Sequence, residues 1–286
     1  MCFNLINADS SSKHSSKHGK KPHKSDNDNS DDNKINTTLL YTGATALPSK
    51  IQSFSSLPEK FDWCNIDGQS FCVPSWNQHI PRYCGSCYVH GALHAANDRI
   101  KILMRGLQDI QLARQVILNC GPINGLGAGC DGGEGFDVFE FMHRFGLPDE
   151  SCQIYKAKAS EQCNAEAYCH NCMPLGEEIW PYKCWAVENP IRYYADSYGS
   201  VRGELAMMSE IHARGPITCG FASVDDFDYN YRGGIYVDLT NATELNHDVE
   251  IVGWSVRKAI NYLNSNFHSW LIIITLLLTN FDIFLI

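Results

Sequence analysis

The sequence predicts an α+β fold of two lobes, and two observations support this prediction. Helical patterns come first along the chain and strand-like patterns come later, as in proteins whose helices and sheet are segregated. The chain has 286 residues, about twice the ~150 that guide the assignment of one domain. Because 44% of the residues are hydrophobic, the chain can bury a core, and we expect one folded unit with two lobes.

The main helix is predicted over residues 87–103, where apolar side chains recur at helical spacing and no Gly or Pro follows Gly91. The Gly-rich stretch 125–135 is predicted to be a loop, since glycine is unfavourable inside helices. Further helices are predicted over residues 116–120, 138–145 and 204–213.

Strands are predicted in the last part of the folded region, where apolar and polar residues alternate. These strands cover residues 217–221, 234–237 and 249–254. Before them, residues 152–184 hold five cysteines among polar side chains. A segment with so little core of its own is expected to depend on disulfides.

Both ends of the chain differ in composition from the folded region, residues 57–254. Residues 1–56 are expected to be a disordered, propeptide-like region, because Ser, Lys, His, Asp and Asn dominate it. Residues 255–286 form an apolar tail, and its last part, 269–286, contains polar interruptions. A membrane-spanning helix needs ~20 apolar residues, so a buried strand pair or an aggregating segment is favoured over membrane contact.

The net charge and the cysteine content indicate which partners and which cellular compartment are compatible with the sequence. Lys and Arg number 23 against 32 Asp and Glu, a net charge of −9, which opposes nucleic acid as a partner. The 13 cysteines are typical of an oxidising compartment, and their odd number leaves at least one outside any intrachain bridge. The first six residues are too short for the apolar part of a secretory signal, so no signal peptide is recognised.

The most informative stretch is residues 77–90, NQHIPRYCGSCYVH. Cys87 lies at the start of a predicted helix, where the helix dipole favours the nucleophilic thiolate. His247 is the candidate acid and base, because it stands at the entry to an apolar strand that would hold its ring. Gln78, nine residues before the thiol, has an amide that could donate to an oxyanion together with the Cys87 N–H.

These residues resemble the papain family of cysteine peptidases, over residues 57–254. The matching motifs, in chain order, are Gln78, Cys84-Gly85-Ser86-Cys87-Tyr88, Cys130-Asp131-Gly132-Gly133, Gly215-Pro216-Ile217, Gly233-Gly234-Ile235-Tyr236 and Asn246-His247. The resemblance implies a papain-like fold with a helical lobe over residues 57–170 and a β-rich lobe over residues 171–254. It also implies a monomeric peptidase without cofactor that cleaves peptides or proteins, with Cys87 as nucleophile, His247 as acid and base, and Gln78 as oxyanion donor.

The same resemblance assigns substrate-binding residues. Gly132 and Gly133 match the Gly pair that binds substrate in the family. The insertion His79-Ile80-Pro81 is similar to the cathepsin X type, in which such a His binds the C-terminal carboxylate of the substrate. An imidazole beside the nucleophile would reward a free carboxylate, so removal of C-terminal residues is expected. A loop His without a ligand and an endopeptidase are the alternatives.

The family pattern also implies disulfides, by position. They are Cys84 with Cys130, Cys120 with Cys163, Cys152 with Cys169, and Cys172 with Cys184. Cys64 and Cys72 are expected to bridge each other, Cys219 is expected to lack its partner, and a bond between Cys2 and Cys87 is a weaker hypothesis. A zinc site from the C-x2-C pairs at Cys84 and Cys169 is disfavoured, because the pairs lie far apart in sequence, so no metal is expected.

The resemblance stops after Trp254, where the family continues to an Asn-Ser-Trp-Gly motif that orients the catalytic His. A read-through intron or frameshift is the favoured explanation for this departure. Without the orienting Asn the rate should fall, and without the terminal strands the second lobe would lose core and leave an unpaired sheet edge. The alternative function is therefore an inactive, truncated relative that at most binds peptides. The family resemblance implies a lysosomal or extracellular location.

Overall fold

The computed structural model describes residues 2–5, 53–160, 162–177, 180–233, 236 and 238–255. The predicted disorder within residues 1–56 and the expected properties of the apolar tail 255–286 therefore lie almost wholly outside the described residues. Most of the strand predicted over residues 234–237 does so as well. Within the described part of the chain, no helix is long and apolar enough to cross a membrane.

Five α-helices form in the described part of the chain. They are α1 (Cys87–Leu103), α2 (Arg114–Cys120), α3 (Gly135–Phe145), α4 (Ala165–Tyr168) and α5 (Glu204–Arg214). The predicted bounds of α1 are confirmed at both ends. Helix α3 begins three residues earlier than predicted, at Gly135. A Cβ at Gly135 would lie 2.8 Å from the Thr218 methyl group, so glycine allows the helix start to pack closely against β6.

Eight strands lie in the described residues. They are β1 (Cys2–Leu5), β2 (Lys60–Asp62), β3 (His170–Pro174), β4 (Tyr182–Ala186), β5 (Tyr198–Val201), β6 (Ile217–Phe221), β7 (His247–Ile251) and β8 (Gly253–Ser255). A four-stranded antiparallel sheet has the order β5-β1-β6-β7, while β2 pairs with β8 and β3 with β4. The α+β prediction is confirmed, because helices and antiparallel sheets form separate parts of the fold.

The single strand predicted over residues 249–254 is wrong in detail, because two strands occupy this stretch. Strand β7 ends at Ile251, and β8 begins at Gly253 and pairs with β2. Gly253 allows this pairing, since a side chain there would collide with the Phe61 carbonyl oxygen. The Trp63 N–H donates to the Val252 carbonyl at 3.2 Å, which holds the break between the strands.

Two apolar cores support the two lobes. The first is built on α1, α2 and α3, with Leu93, Ile117 and Phe139 fully or almost fully buried. The second packs α5 against β6, β7 and β8. Helix α1 is buried over nearly its whole length and also packs along β7, so it lies between the two cores.

Among the described residues β7 pairs with β6 alone and is an outer strand of the sheet, as expected for an unpaired edge, while the N-terminal strand β1 takes an inner position. Strand β1, at the N-terminus of the chain, lies between β5 and β6 and is antiparallel to both. Cys2 is the register partner of Cys219. The expectation that Cys219 lacks a partner is wrong, because Cys219 is disulfide-bonded. Sequence patterns did not show this arrangement, since a pairing between residues 2 and 219 leaves no local signal.

Candidate active site

The nucleophile loop, residues 84–86, precedes the candidate nucleophile Cys87 and is held by contacts with the segment around Cys130. Cys84 is bonded to Cys130, and the Gly85 N–H donates to the Cys130 carbonyl at 2.8 Å. A Cβ at Gly85 would lie 2.7 Å from that carbonyl oxygen, so only glycine fits here. The loop therefore leads directly into α1 with Cys87 as its first residue.

Cys87 is a free, half-buried thiol. Burial raises its pKa, and the charge of Asp248 raises it further. Hydrogen bonds from the backbone N–H groups of Asp248, Tyr88 and Cys87 itself act in the opposite direction. The helix N-terminus thus supplies thiolate-stabilising donors, but they do not outweigh burial, so the thiolate needs a cationic partner.

His247 is the first residue of β7 and is half-buried. Its ring lies edge-on to Phe221, with 5.6 Å between ring centroids. Burial lowers the pKa of His247 to about 4, the charge of Asp228 opposes this, and His79 lowers it further. Asn246 anchors the entry to the strand, because its side chain accepts from the Ser223 N–H at 2.7 Å and donates to the Ser223 carbonyl at 2.8 Å.

The structure brings the strand of His247 to the N-terminus of α1. The Asp248 N–H, one residue after His247, lies close enough to the Cys87 thiol to favour its thiolate and so to lower its pKa. Among the described residues no hydrogen bond joins Cys87 to His247, and the buried Nε2 of His247 has no partner there. Such bonds often tighten only when substrate binds, so the absence of this bond does not exclude His247 as the acid and base.

Gln78 is buried beside the nucleophile loop. Its amide nitrogen donates to the Cys84 carbonyl at 3.3 Å. The backbone carbonyl of Gln78 accepts from the Tyr155 hydroxyl at 2.6 Å. The same hydroxyl is hydrogen-bonded to the Ser86 hydroxyl at 2.7 Å. Tyr155 therefore ties the candidate oxyanion donor Gln78 to Ser86, the residue before Cys87, and sequence reasoning missed this contact because Tyr155 is remote in the chain.

His79 is exposed and follows Gln78 directly. Its ring stacks on Tyr83 at 4.8 Å, and its Nδ1 accepts from the Cys84 N–H at 3.4 Å. Burial of part of the ring lowers its pKa. With Nδ1 accepting, the neutral ring carries its hydrogen on Nε2, which lies 3.4 Å from the Gln78 amide nitrogen. The ring is thus a donor close to the oxyanion residue.

Gly132 and Gly133 lie on a loop above Tyr88. Gly132 has φ 108°, in the region that favours glycine, and open space surrounds the position of a Cβ. At Gly133 a Cβ would lie 2.7 Å from the buried Tyr88 ring. The Tyr88 hydroxyl donates to the Gly129 carbonyl at 3.2 Å, so the tyrosine after the nucleophile supports the glycine loop.

Asp248 is a second residue that the sequence analysis missed. It is half-buried, and burial raises its pKa to about 6, with Glu134 adding to the effect. Above that pH its charge acts directly on the Cys87 thiol. The position of Asp248 directly after His247 could have indicated a role near the thiol. The alternation of side chains along a strand, however, does not reveal which face of the strand lies towards Cys87.

The cysteine pairing agrees with the four bridges that the resemblance implied, namely Cys84–Cys130, Cys120–Cys163, Cys152–Cys169 and Cys172–Cys184. Cys64 bonds to Cys72, as expected. The weaker hypothesis of a bond between Cys2 and Cys87 is wrong, because the Cys87 thiol is free.

Comparison with known proteins gives one family. The sequence model described as "Papain family cysteine protease" matches residues 57–272 and so runs beyond Trp254, where we expected the resemblance to stop. The chain is 36% identical over 205 residues to Cathepsin Z of Onchocerca volvulus, covering 71% of this chain and 62% of that protein. It is 30% identical over 231 residues to Cathepsin C of Schistosoma mansoni, covering 74% of this chain and 45% of that protein. The chain thus spans less than two thirds of either relative.

Solved structures show the same fold at low identity. The Carica candamarcensis cysteine protease CMS1MS2 in complex with E-64 superposes with a TM-score of 0.52 at 23% identity, covering 70% of this chain and 78% of that one. Digestive procathepsin L2 of Tenebrio molitor larval midgut gives a TM-score of 0.54 at 21% identity, covering 72% and 56%.

Proposed function

The chain belongs to the papain family of cysteine proteases, and we propose that it hydrolyses peptide bonds and preferentially removes residues from the C-terminus of its substrates. Cys87 is the nucleophile and His247 the acid and base. Gln78 and the Cys87 N–H are the oxyanion donors. The observation that carries the peptidase proposal is a free, half-buried thiol at the N-terminus of α1, close to the backbone of the residue after His247.

The reaction divides into two transfers at one carbonyl carbon. The Cys87 thiolate attacks the carbonyl while His247 carries the thiol proton, and the oxyanion receives hydrogen bonds from the Gln78 amide and the Cys87 N–H. His247 then gives its proton to the leaving amine, and an acyl-enzyme remains. Water, deprotonated by His247, cleaves the thioester and restores the thiol.

The preference for a C-terminal residue rests on His79. Its ring lies 3.4 Å from the Gln78 amide, and the Cys84 N–H occupies Nδ1, so Nε2–H is the hydrogen left to donate. A substrate that ends one residue beyond the cleaved bond would present its carboxylate near this donor. Similarity to Cathepsin Z supports this specificity, whereas similarity to Cathepsin C makes an independent test necessary.

The five bridges support an oxidising location. We therefore propose a lysosomal or extracellular peptidase that acts on peptides or proteins as a monomer. The inactive relative considered from the sequence is less favoured, because the thiol is free and the oxyanion residue is held beside the nucleophile loop.

Replacing His79 tests the specificity. In His79→Ala the loss of a charge-assisted hydrogen bond should lower kcat/KM for peptides with a free C-terminal carboxylate by roughly 10- to 100-fold. Hydrolysis of the same peptides with an amidated C-terminus should change little. The measurement is kcat/KM for each peptide pair with the unchanged protein and the variant.

His143→Ala is the matched control, because His143 lies on α3 and bonds to the Ala195 carbonyl. It should leave the ratio of acid to amide cleavage unchanged. Equal losses for both forms of the peptide in His79→Ala would contradict carboxylate binding by His79, while leaving the peptidase activity itself in place.

A further inference from the structure

A cluster of three buried side chains lies between the two catalytic elements. His94 and Asp98 are one turn apart on α1, and Glu250 faces them from β7. Their exposures are 3%, 0% and 9%. One ligand-type atom from each residue lies within 4.8 Å of the other two, so the three groups converge on one point.

The hydrogen bonds of His94 leave a lone pair directed into the cluster. Nε2 lies 3.3 Å from the Pro74 carbonyl, which can only accept, so the ring hydrogen belongs on Nε2. Nδ1 lies against Oε2 of Glu250, so in the neutral ring its lone pair is directed into the cluster.

The carboxylates add two more acceptors without a donor. Asp98 uses Oδ1 to accept from the Val73 N–H at 2.7 Å. Its Oδ2 and the Oε1 of Glu250 are buried and receive no hydrogen bond among the described residues. Buried carboxylate oxygens without a donor are costly, and a bound cation or a shared proton would offset that cost.

We propose that His94, Asp98 and Glu250 form a binding site for a divalent transition-metal ion of the zinc class. One imidazole nitrogen and two carboxylates are a ligand set that suits zinc, and two carboxylates balance its charge. The bonds from Val73 to Asp98 and between His94 and Pro74 would fix the ligands from outside, as they do at protein metal sites. The second cluster with such spacing, His170, Cys172 and Cys184, is unsuitable because its cysteines form a disulfide.

A metal ion here would join α1 to β7. These elements carry Cys87 and His247 at their ends, and they belong to different lobes. Binding should therefore stabilise the contact between the lobes without touching the reacting atoms. The proposal does not depend on the proposed specificity or on activity.

The test is zinc binding by the full chain with competing ligands removed. Cys87→Ser removes a thiol that could hold zinc with His247, and replacing His14, His18 and His23 by Ser removes the His-containing run near the N-terminus. In this background, after prolonged incubation at pH 7.5, we expect one tightly bound zinc per chain by calorimetry. At a 100-fold excess over Kd, Tm should rise by roughly 5–10 °C. Cobalt should give the visible absorption of a four-coordinate ion.

Two near-isosteric variants identify the ligands. Asp98→Asn and Glu250→Gln keep the packing, and each should abolish the zinc-dependent rise in Tm; far-UV circular dichroism verifies that they are folded. Glu150→Gln is the matched control, because Glu150 is another partly buried glutamate outside the cluster, and it should keep the rise. If the folded background protein binds no zinc, or if the folded Asp98 and Glu250 variants bind it as tightly, the proposal is wrong and a shared proton joins the carboxyl groups.

Discussion

The reactivity of Cys87 is set by a balance of burial, backbone donors and the charge of Asp248. Burial and the Asp248 carboxylate both favour the neutral thiol, while three backbone N–H groups favour the thiolate. Burial also keeps His247 neutral, because it lowers the pKa of the imidazole to about 4. Since each group is held in its uncharged form, forming the thiolate–imidazolium pair requires their mutual attraction.

Removing the charge of Asp248 should make the thiol more acidic. In Asp248→Asn the repulsion between carboxylate and thiolate is lost, so the pKa of Cys87 should fall, and alkylation should begin at lower pH. The effect should be seen above about pH 6, where Asp248 is charged. The pH dependence of the iodoacetamide alkylation rate measures it.

Exposed Glu59→Gln is the control for this measurement, because it removes the same charge from the surface. Its alkylation profile should match that of the unchanged protein. A thiol pKa in Asp248→Asn equal to or higher than that of the unchanged protein would contradict the role of Asp248.

At the scale of elements, disulfides hold the loops that surround the start of α1. The Cys84–Cys130 bridge spans 46 residues and joins the nucleophile loop to the glycine loop. The Cys172–Cys184 bridge spans 12 residues and joins β3 to β4 within an exposed hairpin. In the chain-entropy description, the longer loop gains more from its bridge.

Replacing both cysteines of a bridge by Ser should separate these roles. Loss of Cys84–Cys130 should cost about 4 kcal/mol of unfolding free energy and most of the peptidase activity. Loss of Cys172–Cys184 should cost about 3 kcal/mol and leave kcat/KM nearly unchanged. Denaturant unfolding and peptide hydrolysis measure the two effects, and equal activity loss in both variants would contradict the positioning role of Cys84–Cys130.

Glu150 links α2 to the loop of Tyr155, and its ionisation should make stability depend on pH. Its carboxylate accepts from the Tyr155 N–H at 2.6 Å and from the Arg114 N–H at 3.4 Å. Burial raises the pKa of Glu150 to about 7, although Arg114 opposes the shift. A raised acid pKa means that the folded state binds the proton more tightly than the unfolded state does.

The contribution of Glu150 to stability should therefore be present below about pH 4.5 and be lost as the pH rises through 7. In Glu150→Gln this part of the pH dependence should disappear, so Tm should fall less between pH 4.5 and 8 than in the unchanged protein. Thermal unfolding across that range measures it, and an identical pH profile would contradict the assignment.

At the scale of the whole molecule, buried polar contacts join α1 of the first lobe to the second lobe. Arg99 donates from Nε to the Pro216 carbonyl at 2.7 Å and from Nη2 to the Gly215 carbonyl at 2.9 Å. It also pairs with Glu210 of α5 at 3.1 Å. With the cluster around His94, these contacts fix how α1 lies on β7, and so where the thiol meets the strand of His247.

Much of this arrangement could be predicted from local patterns. The bounds of α1 follow from local periodicity, the resemblance to the papain family implied the four bridges, and short motifs pointed to Cys87, Gln78 and His247 as candidates. The role of Asp248, the clamp at Tyr155 and the insertion of β1 beside β6 could not be predicted, because each depends on contacts between distant parts of the chain. Local periodicity carries no information about such contacts.

Labelling of the folded protein with a thiol-reactive epoxide, followed by mass spectrometry, tests most directly whether Cys87 is the nucleophile. One label per chain is expected, located at Cys87, with loss of peptide hydrolysis in proportion to labelling. Cys87→Ser should take up no label. Folded protein that remains unlabelled, or that is labelled elsewhere while it still hydrolyses peptides, would contradict the assignment of Cys87 as the nucleophile of a cysteine peptidase.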